Sequence, residues 1–339
     1  MTTIRVAILG CGGMAGGHAS KLGKNPDVDV VALCDVNETA LAAFKAKHFS
    51  GSRHQPALFT DPAEMYRVAK PDGVVIVTPH TLHFSQGMQA LAAGCHVLME
   101  KPMVTSAEHA HALAAEVAKT GRILTIGYNT SCSAPLLYLR DAIRTQRFGK
   151  LELVSGYLSQ NWLTLCAGTW RLKPELSGGG QAYDSGAHIL NSLCWSVESD
   201  IAEVFAFVDR HGSQVDINSS INIRFANNVM ASIVVSGNCV ADGASMHFMF
   251  ERGRVDVDGW GGGWIKVFGP HGEEKPELAA TSVSPDDNFI DAILGRAPAH
   301  TSPANGIVQS ELMDAIYASA KTGVPARPAR ASKQATSAR

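Results

Sequence analysis

Three side chains in this sequence have the chemistry needed to bind a hydroxyl group and move its proton: Lys101, Asp184 and His188. Lys101 lies between an apolar run and a proline, so it has little freedom to turn into solvent. Asp184 and His188 are four residues apart, and on a helix this spacing places both side chains on one face. A lysine can stabilise an alkoxide, and an imidazole one turn after a carboxylate can accept a proton, although a surface lysine or a structural histidine would use the same residue types.

A glycine-rich segment, Gly10-Cys-Gly12-Gly-Met-Ala15, follows the first apolar run. In that position glycines allow the backbone to approach a pyrophosphate at a helix N-terminus, although a simple tight turn would use the same residues. The predicted contacts in this segment are Gly10, Gly12, Gly13, Met14 and Ala15. The sequence therefore favours a bound dinucleotide.

Asp35 ends the second apolar run, 25 residues after Gly10. A carboxylate there can accept hydrogen bonds from both ribose hydroxyls of an adenosine and would repel a 2′-phosphate. The alternative is that Asp35 only caps the next helix. We expect NAD as the cofactor, with NADP as the less favoured choice.

Polar residues also follow two later apolar runs, Thr78-Pro79 after the run at 73–77 and Glu100-Lys101 after the run at 96–99. The carboxyl ends of parallel strands meet at one edge of a sheet, which is where open α/β folds bind ligands. Thr78, Pro79, Glu100 and Lys101 are therefore predicted to contact the cofactor.

The elements that must position these residues change character along the chain. Up to about residue 130, short apolar runs alternate with helical segments, as in a parallel sheet built from βαβ units. The predicted strands are 4–9, 28–34, 73–77, 96–99 and 123–126, and a capping box at Thr105 to Glu108 predicts a helix over 106–119. From Leu151, alternating segments that follow one another directly predict an antiparallel sheet. These strands are 151–160, 204–209, 217–225, 230–235 and 246–250, with helices at about 134–147, 183–197, 286–294 and 306–321.

Composition excludes several classes of partner. Lys and Arg total 29 against 31 Asp and Glu, which leaves no basic surface for nucleic acid or an anionic membrane. The apolar stretches are much shorter than the roughly 20 residues needed to span a bilayer. The seven cysteines include no C-x-x-C pair, so we expect reduced thiols, no metal site and, without an export signal, a cytoplasmic protein.

In this order the motifs resemble those of the Gfo/Idh/MocA oxidoreductases, over nearly the whole chain. Besides the residues above, the resemblance includes His18, His83, Gly127-Tyr128-Asn129 and Trp170-Arg171. It continues through Ser177-Gly-Gly-Gly180 to Asp184-x-Gly-x-His188 and ends with an alanine-rich helix at 315–323. Ala15 replaces the third glycine of the fingerprint, and Asn191 stands where these proteins commonly have Asp, which puts the substrate in doubt.

The resemblance implies a Rossmann NAD(P)-binding domain over 1–129 and an α+β domain over 130–325 with an open-faced, largely antiparallel sheet. Residues 326–339 are expected to form a flexible tail. It further implies hydride transfer between a nicotinamide cofactor and a sugar, cyclitol or related polyol, with Lys101, Asp184 and His188 as catalytic residues. His83 would join the cofactor site. Lys101, Tyr128, Trp162, Arg171, Asp184 and His188 would bind the substrate.

Several alternatives stay open on sequence alone. Either His188 or Lys101 could accept the proton, and Asp184 could bind a neighbouring hydroxyl or orient the imidazole. A histidine with the ordinary pKa of about 6.5 would give oxidation an acid limb near that pH. Glycoside cleavage with a tightly held NAD and a non-catalytic NAD-binding regulator are the alternative functions.

The uncovered face of the second sheet predicts a homodimer or homotetramer.

Overall fold

A computed structural model describes residues 3–279 and 283–328, which form two sheets. The first has six strands in the order β3-β2-β1-β4-β5-β6, and every pairing between them is parallel. Its strands are β1 (Ile4–Leu9), β2 (Val28–Cys34), β3 (Ala57–Phe59), β4 (Gly73–Ile76), β5 (His96–Met99) and β6 (Leu124–Ile126). The predicted Rossmann sheet is confirmed. The sequence analysis missed β3, whose three residues are too few to show a pattern.

Five helices connect these strands: α1 (Ala15–Lys24), α2 (Glu38–Phe49), α3 (Pro62–Ala69), α4 (His83–Ala92) and α5 (Ala107–Thr120). The α5 helix was predicted to begin at a capping box opened by Thr105. The structure places the cap one residue later, because the Ser106 side chain accepts a hydrogen bond from the His109 N–H at 3.2 Å. The helix ends at Gly121, whose φ of +64° favours glycine.

The second sheet has eight strands in the order β14-β13-β12-β11-β7-β10-β9-β8. They are β7 (Leu151–Ser159), β8 (Ile201–Asp209), β9 (Asn218–Phe225), β10 (Met230–Ser236), β11 (Gly243–Phe250), β12 (Gly253–Val257), β13 (Ile265–Gly269) and β14 (Gly272–Glu274). Only the central β10–β7 pair among the described strands is parallel, so the largely antiparallel prediction is confirmed. Asn228 turns the β9–β10 hairpin with φ +70°.

The remaining helices are α6 (Ala134–Arg144), α7 (Trp162–Leu165), α8 (Pro174–Ser177), α9 (Gly186–Val197), α10 (Pro285–Ile293) and α11 (Pro303–Thr322). The α6, α9 and α11 helices cover one face of the second sheet. The opposite face is uncovered in the single chain, and it exposes Leu153, Phe207, Met230 and Val234. The sheet is therefore open on one side, as predicted.

The α10 helix departs from the predicted domain division. Although it lies within 130–325, its Phe289 and Ile290 are fully buried in the hydrophobic core of the first domain, and the helix packs next to β5 and β6. The Phe289 ring fills the space beside Gly73, since a Cβ added at Gly73 would lie 3.1 Å from the ring. The chain thus returns to the nucleotide-binding half after completing the second sheet.

The predicted tail over 326–339 is described only at its start. Ala326 and Val204 exchange two backbone hydrogen bonds of 2.8 Å at the edge of the second sheet, so this residue is held by β8. Residues 329–339 lie outside the described residues.

Candidate active site

A cavity of about 480 Å³ opens where the carboxyl edge of the first sheet faces the second domain. Lys101 lies in the loop after β5, Asp184 in the turn before α9, and His188 in the first turn of α9. All three line the cavity, together with Gly12 and Gly13. The structure therefore brings the predicted acid–base residues to the glycine-rich loop.

Lys101 and Asp184 form the central ion pair of this cavity. The Lys101 Nζ lies 2.7 Å from Asp184 Oδ1 and 3.2 Å from the Asp184 backbone oxygen. Asp184 Oδ2 accepts hydrogen bonds from Trp162 Nε1 at 2.8 Å and Arg171 Nε at 2.9 Å. Burial would raise the pKa of Asp184, but the charges of Lys101 and Arg171 outweigh it and hold that pKa well below its usual range. Asp184 is thus a carboxylate whose two oxygens are both engaged.

These contacts correct two expectations about Asp184. It does not lie on the helix with His188, because α9 begins only at Gly186. Among the described side chains its hydrogen bonds go to Lys101, Trp162 and Arg171, so it does not orient the His188 imidazole. In this geometry Asp184 binds Lys101 through one side-chain oxygen and its backbone oxygen.

The turn that carries Asp184 is fixed by a second buried carboxylate. Asp216 accepts backbone hydrogen bonds from Gly180 at 2.6 Å and Ala182 at 2.8 Å. A Cβ on Gly180 would lie 1.9 Å from the Asp216 backbone oxygen, so only glycine fits there. These bonds hold residues 180–184 in a turn and delay the start of the helix.

His188 supplies an imidazole without a hydrogen-bond partner. Its Nδ1 is buried and contacts no donor or acceptor within the described chain, while the ring edge packs against Tyr128, 6.0 Å between centroids. Burial and the positive charge of Lys101 lower the pKa of His188 to about 3. The imidazole is therefore neutral at physiological pH, which corrects the ordinary pKa expected from sequence.

The sequence analysis missed a second imidazole in the cavity, His80. Its Nδ1 lies 3.0 Å from the Ser177 carbonyl oxygen and must donate to it, so its Nε2 carries a free lone pair 3.8 Å from Asp184 Oδ1. Burial lowers the pKa of His80 to about 3. The signal in the sequence was its place directly after Thr78-Pro79 at the sheet edge. Gln160, Ser185 and Trp260 also line the cavity and were missed.

The glycine-rich loop has the space that a pyrophosphate needs. Gly10 has φ +92°, and an added Cβ would lie 2.8 Å from the backbone of Val77. At Gly12 and Gly13 an added Cβ would meet no described atom within 4 Å, so this side of the loop is open. Ala15 is fully buried and packs α1 against the sheet. No side chain of the described residues caps α1 at Met14, which leaves the helix N-terminus for an anion.

Asp35 lies beside this loop at the end of β2. Its Oδ2 accepts a hydrogen bond from the Cys11 N–H at 2.8 Å, and its Oδ1 accepts one from the Asn37 N–H at 2.9 Å. The carboxylate is thereby fixed next to the glycine-rich loop and keeps further lone pairs for ribose hydroxyls. Residues of the chain thus fit the pyrophosphate and the adenosine ribose of a dinucleotide.

Of the other residues assigned to the cofactor, Thr78 and Glu100 line the cavity, and Pro79 does not. His83 is fully buried, and its ring nitrogens lie 2.8 Å from the Pro102 oxygen and 2.9 Å from the Thr78 oxygen. His83 therefore links the loop after β4 to the loop after β5 through their backbone oxygens. It does not line the cavity and is not placed to touch a ligand there.

Glu100 belongs to a buried charge cluster with His18 and Asp286 of α10. His18 Nε2 lies 3.0 Å from Glu100 Oε1, and its Nδ1 lies 2.7 Å from Asp286 Oδ1. Burial alone would lower the pKa of His18, but the two carboxylates raise it to about 10. Burial would raise the pKa of Glu100, and His18 lowers it to about 2. An imidazolium between two carboxylates thus fixes Glu100 at the cavity wall.

Three residues assigned to the substrate need comment. Tyr128 does not line the cavity, because its ring is buried in the core and its hydroxyl donates to Gln309 at 2.5 Å. Trp162 lines the cavity but is only 1% exposed, and it contributes mainly its N–H to Asp184. Arg171 stacks on Trp170, 4.6 Å from the ring centroid, and is partly exposed.

The fold and this cavity define a class of protein, the two-domain dinucleotide-dependent oxidoreductases. Residues 4–128 match the model of an oxidoreductase family with an NAD-binding Rossmann fold, and residues 136–256 match the C-terminal domain of the same family. This chain belongs to the Gfo/Idh/MocA oxidoreductases. The family predicted from the motifs is confirmed.

Two of its curated relatives are named as a sugar dehydrogenase and an inositol dehydrogenase. The chain is 30% identical to D-glucoside 3-dehydrogenase of Escherichia coli over 57% of its own length and 53% of that enzyme, so it spans only about half of that relative. It is 25% identical to inositol 2-dehydrogenase of Rubrobacter xylanophilus over 95% of this chain and 92% of that one. The WlbA dehydrogenase of Bordetella pertussis, solved with NADH and UDP-GlcNAcA, superposes with a TM-score of 0.82 at 25% identity, covering 97% and 100% of the two chains.

Three other expectations concern thiols, metals and membranes. All seven cysteines lie in the described part of the chain, and none is paired. No cluster of potential metal ligands occurs within residues 3–279 and 283–328. Helices long and apolar enough to cross a membrane are also absent from these ranges.

Proposed function

We propose that this protein catalyses NAD-dependent oxidation of a secondary hydroxyl group of a sugar, cyclitol or related polyol, or the reverse reduction. The observation that carries the proposal is the 2.7 Å pair of Lys101 and Asp184 in the cavity that also contains His188, Gly12 and Gly13. A hydroxyl-binding donor and a neutral base lie next to a loop built for a dinucleotide. When bound, the nicotinamide cofactor supplies the acceptor or donor of the hydride.

Lys101 is assigned to the reacting oxygen. An ammonium group has three donors, and two are directed at Asp184, so one is left for a substrate oxygen. A positively charged donor at the reacting oxygen favours an alkoxide over a hydroxyl. Lys101 therefore lowers the energy of the developing alkoxide, and Asp184 positions it.

His188 is assigned as the proton acceptor. A general base must be unprotonated, and burial and Lys101 lower the pKa of His188, so the imidazole is neutral before proton transfer. The carboxylates of Glu100 and Asp184 act in the opposite direction and favour the imidazolium that the transfer forms. The polar atoms of His188 are not engaged by other described side chains, unlike those of Asp184. Lys101 would then act as a donor in both directions of the reaction.

NAD is the cofactor that the site favours, because the fixed Asp35 carboxylate would repel a 2′-phosphate. A polyol or sugar substrate is supported by the names of two relatives, a glucoside dehydrogenase and an inositol dehydrogenase. Glycoside cleavage has less support among the relatives. A purely regulatory protein would not need the ion pair and base that this cavity retains.

The exposed apolar side chains Leu153, Phe207, Met230 and Val234 on the open sheet support a homodimer or homotetramer joined through this face. A monomeric mass by light scattering at micromolar concentration would contradict this assembly. Unpaired cysteines favour a reducing compartment, the cytoplasm.

The proposed activity is tested by following NADH absorbance with NAD and a panel of aldoses, glycosides, inositols and open-chain polyols. We expect turnover with at least one member, and its loss in Lys101→Ala with NAD binding retained. Binding of NAD without turnover of any sugar, cyclitol or polyol would contradict the proposal.

A further inference from the structure

Next to the active-site cavity lies an open cleft with no role in the function proposed above. Its volume is about 800 Å³, and its walls include Asn129, Tyr157, Asp242, Trp260 and Trp264. Trp260 lines this cleft and the active-site cavity alike, so one indole forms the boundary between them. The cleft is therefore directly adjacent to the cavity, with Trp260 between them.

The cleft presents aromatic surface to solvent. Trp264 is 40% exposed, and Trp260 is half-buried between it and the cavity. Tyr157 pairs with Val234 on the open sheet face, so the proposed oligomer would cover it and the aromatic surface left to a ligand is that of the two tryptophans. Large exposed aromatic side chains gathered at one concave site are typical of ligand binding. Because the C–H face of a pyranose ring is apolar, it can pack flat on such rings.

The loop that carries both tryptophans is fixed before any ligand arrives. The Asp258 carboxylate accepts hydrogen bonds from the N–H groups of Trp260 at 2.9 Å, Gly261 at 3.2 Å and Gly263 at 3.0 Å. Gly262 has φ +64°, and an added Cβ would lie 2.3 Å from Ser133 Oγ. Although it is rich in glycine, the loop is anchored, so the indoles lose little conformational freedom on binding.

The charge of the cleft indicates which ligand it takes. Of the described side chains that line it, Asp242 and Asp258 are acidic, and none is a lysine or arginine. Phosphate or carboxylate groups would be repelled there, whereas hydroxyl groups can donate to the exposed Asp242. The walls match a neutral ring that has an apolar face and hydroxyl groups at its edge.

We propose that this cleft, through Asp242, Trp260 and Trp264, binds the second, neutral ring of a glycoside or oligosaccharide whose first ring is oxidised beside Lys101. The inference rests on the proposed function only in placing the first ring, the one that is oxidised, in the active-site cavity. A second ring bound in the cleft would make the enzyme prefer glycosides to free monosaccharides and to nucleotide sugars. Trp264 contributes by stacking and Asp242 by accepting hydroxyl hydrogen bonds.

The test compares glucose, the disaccharides cellobiose and maltose, and UDP-glucose, in the wild-type enzyme and in Trp264→Ala. We expect the variant to lose about three- to tenfold in kcat/KM for the better disaccharide, the size of one stacking contact, with glucose changed less than twofold. Trp264→Phe keeps an aromatic face and should restore most of the loss. Leu278→Ala, at a residue that is also 40% exposed but does not line the cleft, is the matched control and should behave as wild type.

Calorimetric binding to the NADH complex separates this inference from the proposed reaction. If no sugar is oxidised but a disaccharide binds and Trp264→Ala weakens it, the cleft is supported and the proposed reaction is not. An equal loss for glucose and disaccharide, or no loss for either disaccharide, would overturn the cleft. Tighter binding of UDP-glucose than of both disaccharides, or a fall in oligomeric mass in Trp264→Ala without a change in sugar binding, would also overturn it.

Discussion

Lys101 and Asp184 are 83 positions apart in the chain and meet with a separation of 2.7 Å between Nζ and Oδ1. The first follows a strand of the Rossmann sheet, and the second precedes a helix of the other domain. The pair therefore joins the domains at the point where the reacting oxygen is expected to bind. Because Trp162 and Arg171 also bind Asp184, the position of Lys101 is determined from both sides of the cavity.

Replacing Lys101 should reduce turnover far more than cofactor affinity. We expect Lys101→Ala to lower kcat by about 10²- to 10⁴-fold, as is usual when a positioned donor is lost from a reacting oxygen. The dissociation constant for NAD, measured by fluorescence quenching, should change little because the glycine-rich loop is intact. Near-normal kcat in this variant would show that Lys101 only links the domains.

The pH dependence of oxidation reports on His188. Since burial and Lys101 lower the pKa of His188 to about 3, the base is already neutral at mildly acidic pH. We expect kcat/KM for oxidation to show no acid limb from this group between about pH 5 and 7, where an ordinary histidine would titrate. His188→Asn should lower kcat/KM at every pH in that range. A limb near pH 6.5 that disappears in His188→Asn would mean that the imidazole is solvated in the working enzyme.

Cofactor preference should depend on Asp35. Wild-type enzyme is expected to have a higher kcat/KM with NAD than with NADP, because the carboxylate beside Cys11 repels a 2′-phosphate. Asp35→Ser removes the charge and should narrow that ratio, mainly through a lower KM for NADP. The expectation is wrong if wild type uses NADP equally well or better.

The buried His18 should make stability depend on pH. A histidine with a higher pKa in the folded than in the unfolded chain stabilises the fold fully below about pH 6.5 and loses this effect as the pH rises towards its folded value of about 10. His18→Gln leaves Glu100 and Asp286 without their shared cation, which should cost about 3–5 kcal/mol near neutral pH. Urea unfolding of both proteins at several pH values checks this. A difference in free energy of unfolding that does not shrink between pH 6.5 and 10 would contradict the assignment.

Local patterns predicted the elements of the nucleotide-binding half well. Strands such as β1 and β2 are buried on both faces and read as apolar runs, and the glycine-rich loop follows one of them at a fixed distance. The carboxyl edge of a parallel sheet then collects Thr78, Glu100 and Lys101 without further information. The position of these three residues at the cavity follows from the order and direction of the strands alone.

What the sequence could not predict depends on contacts between distant segments. Asp216, 36 residues after Gly180, holds the turn before α9, so the helix spacing of Asp184 and His188 was misleading. Tyr128 looked available for a ligand, but Gln309 in α11 binds its hydroxyl. The lowered pKa of His188 likewise follows from burial, which no local pattern reveals.

The return of α10 to the first domain has a consequence for how the protein is made. As the chain leaves the ribosome, the parallel sheet emerges complete but lacks Phe289 and Ile290, which close its core. His18 likewise has no Asp286 to share its charge until that helix is synthesised. The nucleotide-binding half therefore reaches its final stability only after the whole second sheet has been translated, so a nascent chain halted before residue 285 would expose a part of its first core to chaperones and proteases.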